Sequence, residues 1–208
     1  MQNKPETPVV LLVNGEFPSH QIPLEILQSA NTVVCTDGSA NNIIKKIKGE
    51  LIIIGDFDSL KIGKKKLTDN LIHLNEQNTT DFEKSLIWCL NNKINNLVIL
   101  GSSGLREDHS IANYFLFCKY SLKLKLKMFT NHFTITSHLG FKKFRSKKGQ
   151  IVSIFATKEN TSITSTSLKY PLNNFILNPS AKAISNESQG NTFTLKCNQQ
   201  VIVFRGYT

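Results

Sequence analysis

Acidic residues are scarce in this chain. Its 208 residues carry 15 aspartates and glutamates against 25 lysines and arginines, a formal net charge of +10, and only six of the acids are aspartates. Long apolar runs are missing too. No stretch approaches the roughly 20 residues that a membrane-spanning helix needs, and Val9–Val13 is too short for a signal-peptide core. The expectation is a cytoplasmic protein with no membrane partner. Cysteines 35, 89, 118 and 197 show neither C-x-x-C spacing nor a histidine at metal-ligand spacing. Each lies among apolar residues, where a free thiol behaves as a small hydrophobe, so buried reduced thiols are expected. A Walker A loop is absent as well, because the glycine-rich segment Gly101-Ser102-Ser103-Gly104 lacks the Gly-Lys-Ser/Thr ending.

What the chain does have is a change of pattern part-way along. Up to about Leu122 short apolar runs alternate with helical periodicity. Val9–Val13, Thr32–Cys35, Leu51–Ile54, Leu71–Leu74 and Leu97–Leu100 predict strands; Ile22–Ser29, Ser39–Lys48, Thr80–Asn92 and Asp108–Lys119 predict helices. Thr80 and Glu83 have the spacing of a capping box. Strands that are near-continuous apolar runs, separated by helices, predict a mainly parallel sheet with helices on both faces.

Beyond Leu122 the segments 123–130, 133–139, 150–156, 161–169, 181–185, 191–197 and 200–205 are rich in Thr, Ser, Ile, Val and Phe, with turn formers between several of them. This composition predicts an all-β C-terminal sandwich. The expected domains are residues 1–140 (α/β) and 141–208 (β-sandwich).

Five of the six aspartates stand where apolar runs end or helices begin: Asp37, Asp56, Asp58, Asp81 and Asp108. In open α/β sheets ligands gather outside the carboxyl ends of the strands. Any one of these aspartates reads equally as a turn or cap residue. Five together point to a site, and carboxylates brought close repel unless a cation neutralises them. Mg²⁺ suits such a set, since it takes oxygen ligands and bridges carboxylates to phosphates. Gly101–Gly104, followed by Arg106 ahead of a helix, has the makings of an anion site.

The lysines suggest a different partner. They cluster at 61–66, alternate at 123, 125 and 127, and recur at 142, 143, 147 and 148. Nucleic acid is one explanation. No aromatic residues interleave with these clusters to form a stacking platform, so solvated faces are the preferred reading and no nucleic-acid partner is expected.

Taken in order, several segments resemble the thiamine pyrophosphokinase family. Thr36-Asp37-Gly38-Ser39-Ala40-Asn41 is similar to its D-G-G-A-N segment, and Gly55-Asp56-Phe57-Asp58-Ser59 matches G-D-F-D-S. Gln77 to Lys84 resembles Q-D-x-T-D-F-x-K, and Gly101 to His109 resembles G-x-x-G-G-R-x-D-H, continued by Ala112-Asn113. Leu168-Lys169-Tyr170-Pro171-Leu172 and Ser185-Asn186-Glu187 are similar to its later L-K-Y/W-P-L and S-N-E motifs. Ser39, Leu105 and Ser167 stand where the family usually has glycine, and Asn78 where it usually has aspartate.

The resemblance implies an α/β domain and a β-sandwich domain, a homodimer with composite active sites, and transfer of pyrophosphate from ATP to thiamine. It implies Asp56, Asp58 and Asp81 as the catalytic Mg²⁺ ligands, and Asp37, Gly38, Asn41, Arg106, Asp108 and His109 as the ATP site. Thiamine would meet Gln77, Thr80, Ser185 and Asn186. A phosphohydrolase using Asp56 as nucleophile is the enzymatic alternative, but its D-x-D-x-T pattern would put threonine where Leu60 stands.

Overall fold

The computed structural model describes residues 8–43, 47–58, 60, 70–74 and 76–208. The chain divides into two compact units, Met1–Asn131 and His132–Thr208. The division falls ahead of the expected residue 140. Its cause is strand pairing: one strand runs unbroken from Phe133 to Arg145 and pairs along its length with the last strand of the chain.

The first unit contains β1 (Val9–Leu12), α1 (Gln21–Gln28), β2 (Thr32–Thr36), α2 (Asp37–Ala40), β3 (Glu50–Gly55), β4 (Leu71–His73), α3 (Asp81–Asn91), β5 (Asn96–Leu100), α4 (Glu107–Tyr120) and β6 (Lys125–Phe129). Its strands pair in parallel in the order β4-β3-β2-β1-β5-β6. Both faces of the central strands are covered. Val10, Leu12, Val33, Cys35 and Ile53 pack with Leu27 of α1 and with Ala40 and Ile43. The alternate residues Leu11, Val34, Ile52 and Ile54 face the other way and are also buried. Strands buried on both faces must be apolar throughout, which is why they read as continuous runs.

Several expectations change in detail. The helix expected over Ser39–Lys48 begins at Asp37 and is only four residues long; residues 44–46 lie outside the described part, as do Ser59, Lys61–Lys66 and Asp69. The capping box at α3 forms by half. Thr80 Oγ1 accepts from the Glu83 N–H at 3.3 Å, but the Glu83 carboxylate turns to α4, taking hydrogen bonds from Lys119 Nζ at 2.7 Å and Tyr120 OH at 2.9 Å. Lys123, Lys125 and Lys127 are exposed, while Leu124, Leu126 and Met128 between them are buried, so this run is a solvent-facing stripe. Cys35, Cys89 and Cys197 are buried and Cys118 half-buried, and burial pushes the Cys35 and Cys89 thiols up to about 12.

The second unit is antiparallel throughout: β7 (Phe133–Arg145), β8 (Ile151–Ala156), β9 (Thr161–Thr166), β10 (Phe175–Leu177), β11 (Asn186–Glu187) and β12 (Thr192–Gly206). The segments expected as two strands, 191–197 and 200–205, are one strand with a register shift between Cys197 and Val201. Before that shift β12 pairs with β9, and after it with β8. Two sheet halves therefore share β7 and β12 and enclose a single core of Phe144, Ile154, Ile163, Phe193, Leu195 and Val203. Phe144 and Phe193 stack there at 5.0 Å. Residues 181–185 form a loop rather than the expected strand. β10 and β11, at three and two residues, are too short to show periodicity.

Candidate active site

The strand order of the first unit turns back between β1 and β5, a topological switch point where ligands bind in open α/β sheets. The loops after these strands are zipped together. Gly15 N donates to Gly101 O at 2.8 Å, and Glu16 N to Ser103 O at 2.8 Å. A Cβ at Gly15 would lie 2.4 Å from Gly101 O, and one at Gly101 2.4 Å from Val13 O, so side chains are excluded at both. The glycines thus serve backbone-to-backbone approach. Asn113 on α4 is buried and donates to Ser102 O at 2.8 Å, tying the loop to the helix. A cavity of about 310 Å³ opens here, lined by Asn14, Asp37, Asp81, Arg106, His109 and Asn113 among others.

Asp37 is 2% exposed, set where β2 runs into α2. Its Oδ1 accepts the Gly38 N–H. Gly55, the last residue of β3, leaves room for it, since a Cβ there would stand 3.0 Å from Asp37 Cγ. Gly38 likewise leaves room for the Asn14 side chain, which would be 2.3 Å from a Cβ at that position. Asn41 closes α2, donating to Gly38 O at 3.2 Å. Ser39, the departure from the usual glycine, is buried and its Oγ donates to Leu12 O at 2.9 Å, fastening α2 to β1.

The turn after β3 carries two aspartates around a strained residue. Phe57 has φ of +65°, in the left-handed region, and its ring stacks on His73 at 5.2 Å. This turn lets Asp56 Oδ1 accept the Asp58 N–H at 3.1 Å. That hydrogen bond, then the Lys84 ammonium and the Gln77 side chain, hold the Asp56 carboxyl below the ordinary aspartate value. Asp58 is exposed, as are Gln77 and Thr80. Asp81 opens α3 under the Thr80 cap, with Lys84 Nζ 3.0 Å from its Oδ1.

Among the described residues no three His, Cys, Asp or Glu side chains form a ready-made metal cage, so Asp56, Asp58 and Asp81 are not gathered into one. Their chemistry still suits Mg²⁺, which is often held by one or two carboxylates together with phosphate oxygens and water. A cation already stands in this region. It is the Lys84 ammonium, paired with Asp81 and within electrostatic reach of Asp56.

Arg106 and Asp108 are paired with each other. Arg106 donates from Nε at 3.1 Å and from NH2 at 2.6 Å, a bidentate fork on an exposed carboxylate. Asp108 also accepts the His109 N–H at 2.9 Å, and with Arg106 leading it is pulled down to about 2. Arg106 and His109 line the cavity; Asp108, Gly38, Asn41, Asp56, Asp58 and Gln77 do not. Leu105 takes φ of +64° and Ser167 φ of +60°. Both are positions where glycine is usual in the family pattern, and the backbone shows why.

In the second unit Ser185 has φ of +55° and its N–H donates to Ser153 Oγ at 2.9 Å. Asn186 is buried, with its amide committed to the backbone of Tyr170 at 3.0 and 2.7 Å. Its evident task is to hold the Lys169-Tyr170 loop. Sequence reasoning gave no role to Lys84, Asn14 or Asn113. An Asp81/Lys84 spacing of three is common on solvated helices, and nothing local marks this lysine as 5% exposed.

Comparison with known proteins bears on what this cavity serves. A family model described as the thiamin pyrophosphokinase catalytic domain matches residues 24–130, and one described as its substrate-binding domain matches residues 132–204. The chain belongs to the thiamin pyrophosphokinase family. It is 34% identical over 114 residues to thiamin pyrophosphokinase 1 of Caenorhabditis elegans, covering 50% of this chain and 47% of that protein. The matched stretch thus spans about half the length of that relative.

Thiamine pyrophosphokinase of Bacillus subtilis (strain 168) is 28% identical over 143 residues, covering 64% of this chain and 67% of that one. The crystal structure of the Bacillus subtilis enzyme is similar with a TM-score of 0.79, at 22% identity over 96% of this chain and 99% of that one. Thiamin pyrophosphokinase from Candida albicans also gives 0.79, at 17% identity over 96% and 89% of the two chains. At these identities the structural likeness speaks for the fold.

Proposed function

We propose that this chain is an ATP:thiamine diphosphotransferase that moves the pyrophosphoryl group of ATP to the hydroxyl of thiamine, giving thiamine diphosphate and AMP. The observation that carries the reading is the pairing of catalytic-domain and substrate-binding-domain matches along the chain. The switch-point cavity supports it by collecting Asp37, Asp81 and the Arg106/His109 pair from three separate motifs.

Attack of an alcohol on the β-phosphorus needs in-line placement and neutralised charge more than covalent help. Asp56, Asp58 and Asp81 would hold Mg²⁺, which when bound neutralises charge on the triphosphate. Asp37, Gly38, Asn41 and His109 would place the nucleotide along the rim of the sheet. Arg106 offers a planar guanidinium fork for phosphate oxygens, and its pairing with Asp108 keeps the two in register until a phosphate competes for it. Asp81 lines the cavity and would accept the proton of the thiamine hydroxyl. Gln77, Thr80 and Ser185 are read as thiamine contacts, with Asn186 assigned to the same site. Asn186 would act by holding the Tyr170 loop.

A cytoplasmic homodimer is part of the same reading. Among the described residues no helix is long and apolar enough to cross a membrane.

The test is direct. Incubation with Mg²⁺, ATP and thiamine should yield AMP and thiamine diphosphate in equal amounts. Formation of ADP with thiamine monophosphate, or no thiamine-dependent turnover, would sink the proposal. Sedimentation of the purified chain measures the dimer.

A further inference from the structure

Lys84 is buried where a lysine is seldom found. It lies in the first turn of α3 with its side chain 5% exposed, one turn beyond Asp81. Lysine is almost never fully buried unless paired, because taking an ammonium out of water costs several kcal/mol that only nearby negative charge offsets. The charge here comes from separate segments. Asp81 Oδ1 stands 3.0 Å from Nζ. Asp56, in the turn after β3, and Glu76, in the approach to α3, are both stabilised in their charged forms in part by the same ammonium, after their own hydrogen bonds.

A purely structural role explains this poorly. Buried ion pairs exchanged for apolar residues of similar size often leave stability unchanged or raised, so packing alone would favour methionine or leucine at this position. The carboxylates are a different matter. Aspartates from different elements, held close without a counter-charge, repel one another and resist being ordered. A site that waits for a divalent cation therefore benefits from a resident monovalent one, tethered to the protein and weak enough to yield.

We infer that the Lys84 ammonium is the resident counter-ion of Asp56 and Asp81, offsetting the repulsion between the two carboxylates and competing with the incoming divalent cation for them. The inference rests on the reading of these aspartates as metal ligands. It assigns Lys84 as a positioning residue: it acts on the substrates through the carboxylates.

The consequence has a sign that a scaffold residue would not produce. Removing a structural lysine loosens the aspartates and weakens metal binding. Removing a competing cation strengthens it, since the divalent ion then meets unneutralised carboxylates and no like charge. The experiment is a titration of the full chain with Mn²⁺ alone, without nucleotide or thiamine, following free Mn²⁺ by electron paramagnetic resonance. Lys84→Met is expected to bind Mn²⁺ about tenfold more tightly than the unaltered protein. Lys84→Arg, which keeps the charge, is expected to stay within about twofold of it. The rise in thermal midpoint on adding Mn²⁺ should be larger for Lys84→Met than for the parent. Lys84→Gln, which keeps a hydrogen-bond donor for Asp81, gives a second charge-free variant and should shift in the same direction.

Equal or weaker Mn²⁺ binding by both folded charge-free variants overturns the inference. If the parent binds Mn²⁺ and Asp56→Asn abolishes it, that failure is confined to Lys84. If neither the parent nor any variant binds Mn²⁺, the inference falls together with the assignment of the aspartates as metal ligands.

Discussion

The side chain of Asn186 clasps the backbone of Tyr170 from both sides, accepting its N–H at 3.0 Å and donating to its carbonyl at 2.7 Å. The same Oδ1 accepts the Glu187 N–H at 2.8 Å. A buried amide that satisfies several backbone groups is costly to lose, because those groups are left without partners. Asn186→Ala should lower stability by about 2–3 kcal/mol, read as a shifted urea midpoint. Asn186→Asp should be nearly as harmful, since a carboxylate cannot donate to the Tyr170 carbonyl.

Leu105 offers the opposite case. Its φ of +64° is unfavourable for leucine, and the residue is 75% exposed, so little burial compensates. Relief of left-handed strain is worth about 1–2 kcal/mol, against an entropic cost of glycine of about 0.5–1 kcal/mol. Leu105→Gly is expected to leave stability unchanged or raise it by up to about 1 kcal/mol. Chemical denaturation checks this, and a clear loss would show that the exposed leucine makes contacts of its own.

Gly101 should tolerate no side chain. It combines φ of +65° with a backbone carbonyl, that of Val13, 2.4 Å from where a Cβ would stand. Gly101→Ala forces β1 and β5 apart at the switch point, and a loss of about 3 kcal/mol or more is expected. By contrast Gly38→Ala meets the flexible end of the Asn14 side chain. Its effect should fall on nucleotide affinity more than on the thermal midpoint, and calorimetry of ATP binding alongside a melting curve separates the two.

Asp56 tests the proposed chemistry. Asp56→Asn keeps the turn acceptor for the Asp58 N–H but removes the charge. Turnover of thiamine should fall by roughly a hundredfold or more, with the circular dichroism spectrum unchanged. Retention of most of the activity would remove Asp56 from the metal set.

His138 supplies a pH dependence. Burial first, and then the Lys142 charge, lower its affinity for a proton below the ordinary 6.5, while its Nε2 lies 2.9 Å from the Gly140 carbonyl. The unfolded chain therefore binds the proton more readily than the folded one. Its contribution to stability is complete above pH 6.5 and is lost as pH falls from there through the lower folded-state value. Urea midpoints measured from pH 7.5 to pH 5 should decline, and His138→Gln should flatten that decline.

How much of this was legible beforehand depends on the range of the interaction. The strands β1, β2, β3 and β5 are read directly, because a strand covered on both faces must be apolar at every position. Phe57, Leu105 and Ser167 look ordinary as letters, and only the backbone reveals that each occupies left-handed space. Glu83 has the spacing of a capping partner, yet the nearness of Lys119 and Tyr120 decides where its carboxylate goes. The domain boundary was displaced for a similar reason: 133–140 matches its neighbours in composition, and pairing with β12 assigns it to the second unit.

The sequence by itself determined the succession of elements, the family and the set of acidic residues at strand ends, because periodicity, turn chemistry and ordered motifs are local properties. Tertiary structure alone decided which of those residues meet. It brought Asp37, Asp81, Arg106 and His109 to one cavity, and it took Lys84, a near neighbour of Asp81 in sequence, out of solvent. Electrostatic partnership depends on distance and burial, and these exist only after the parallel sheet has drawn distant segments to one rim.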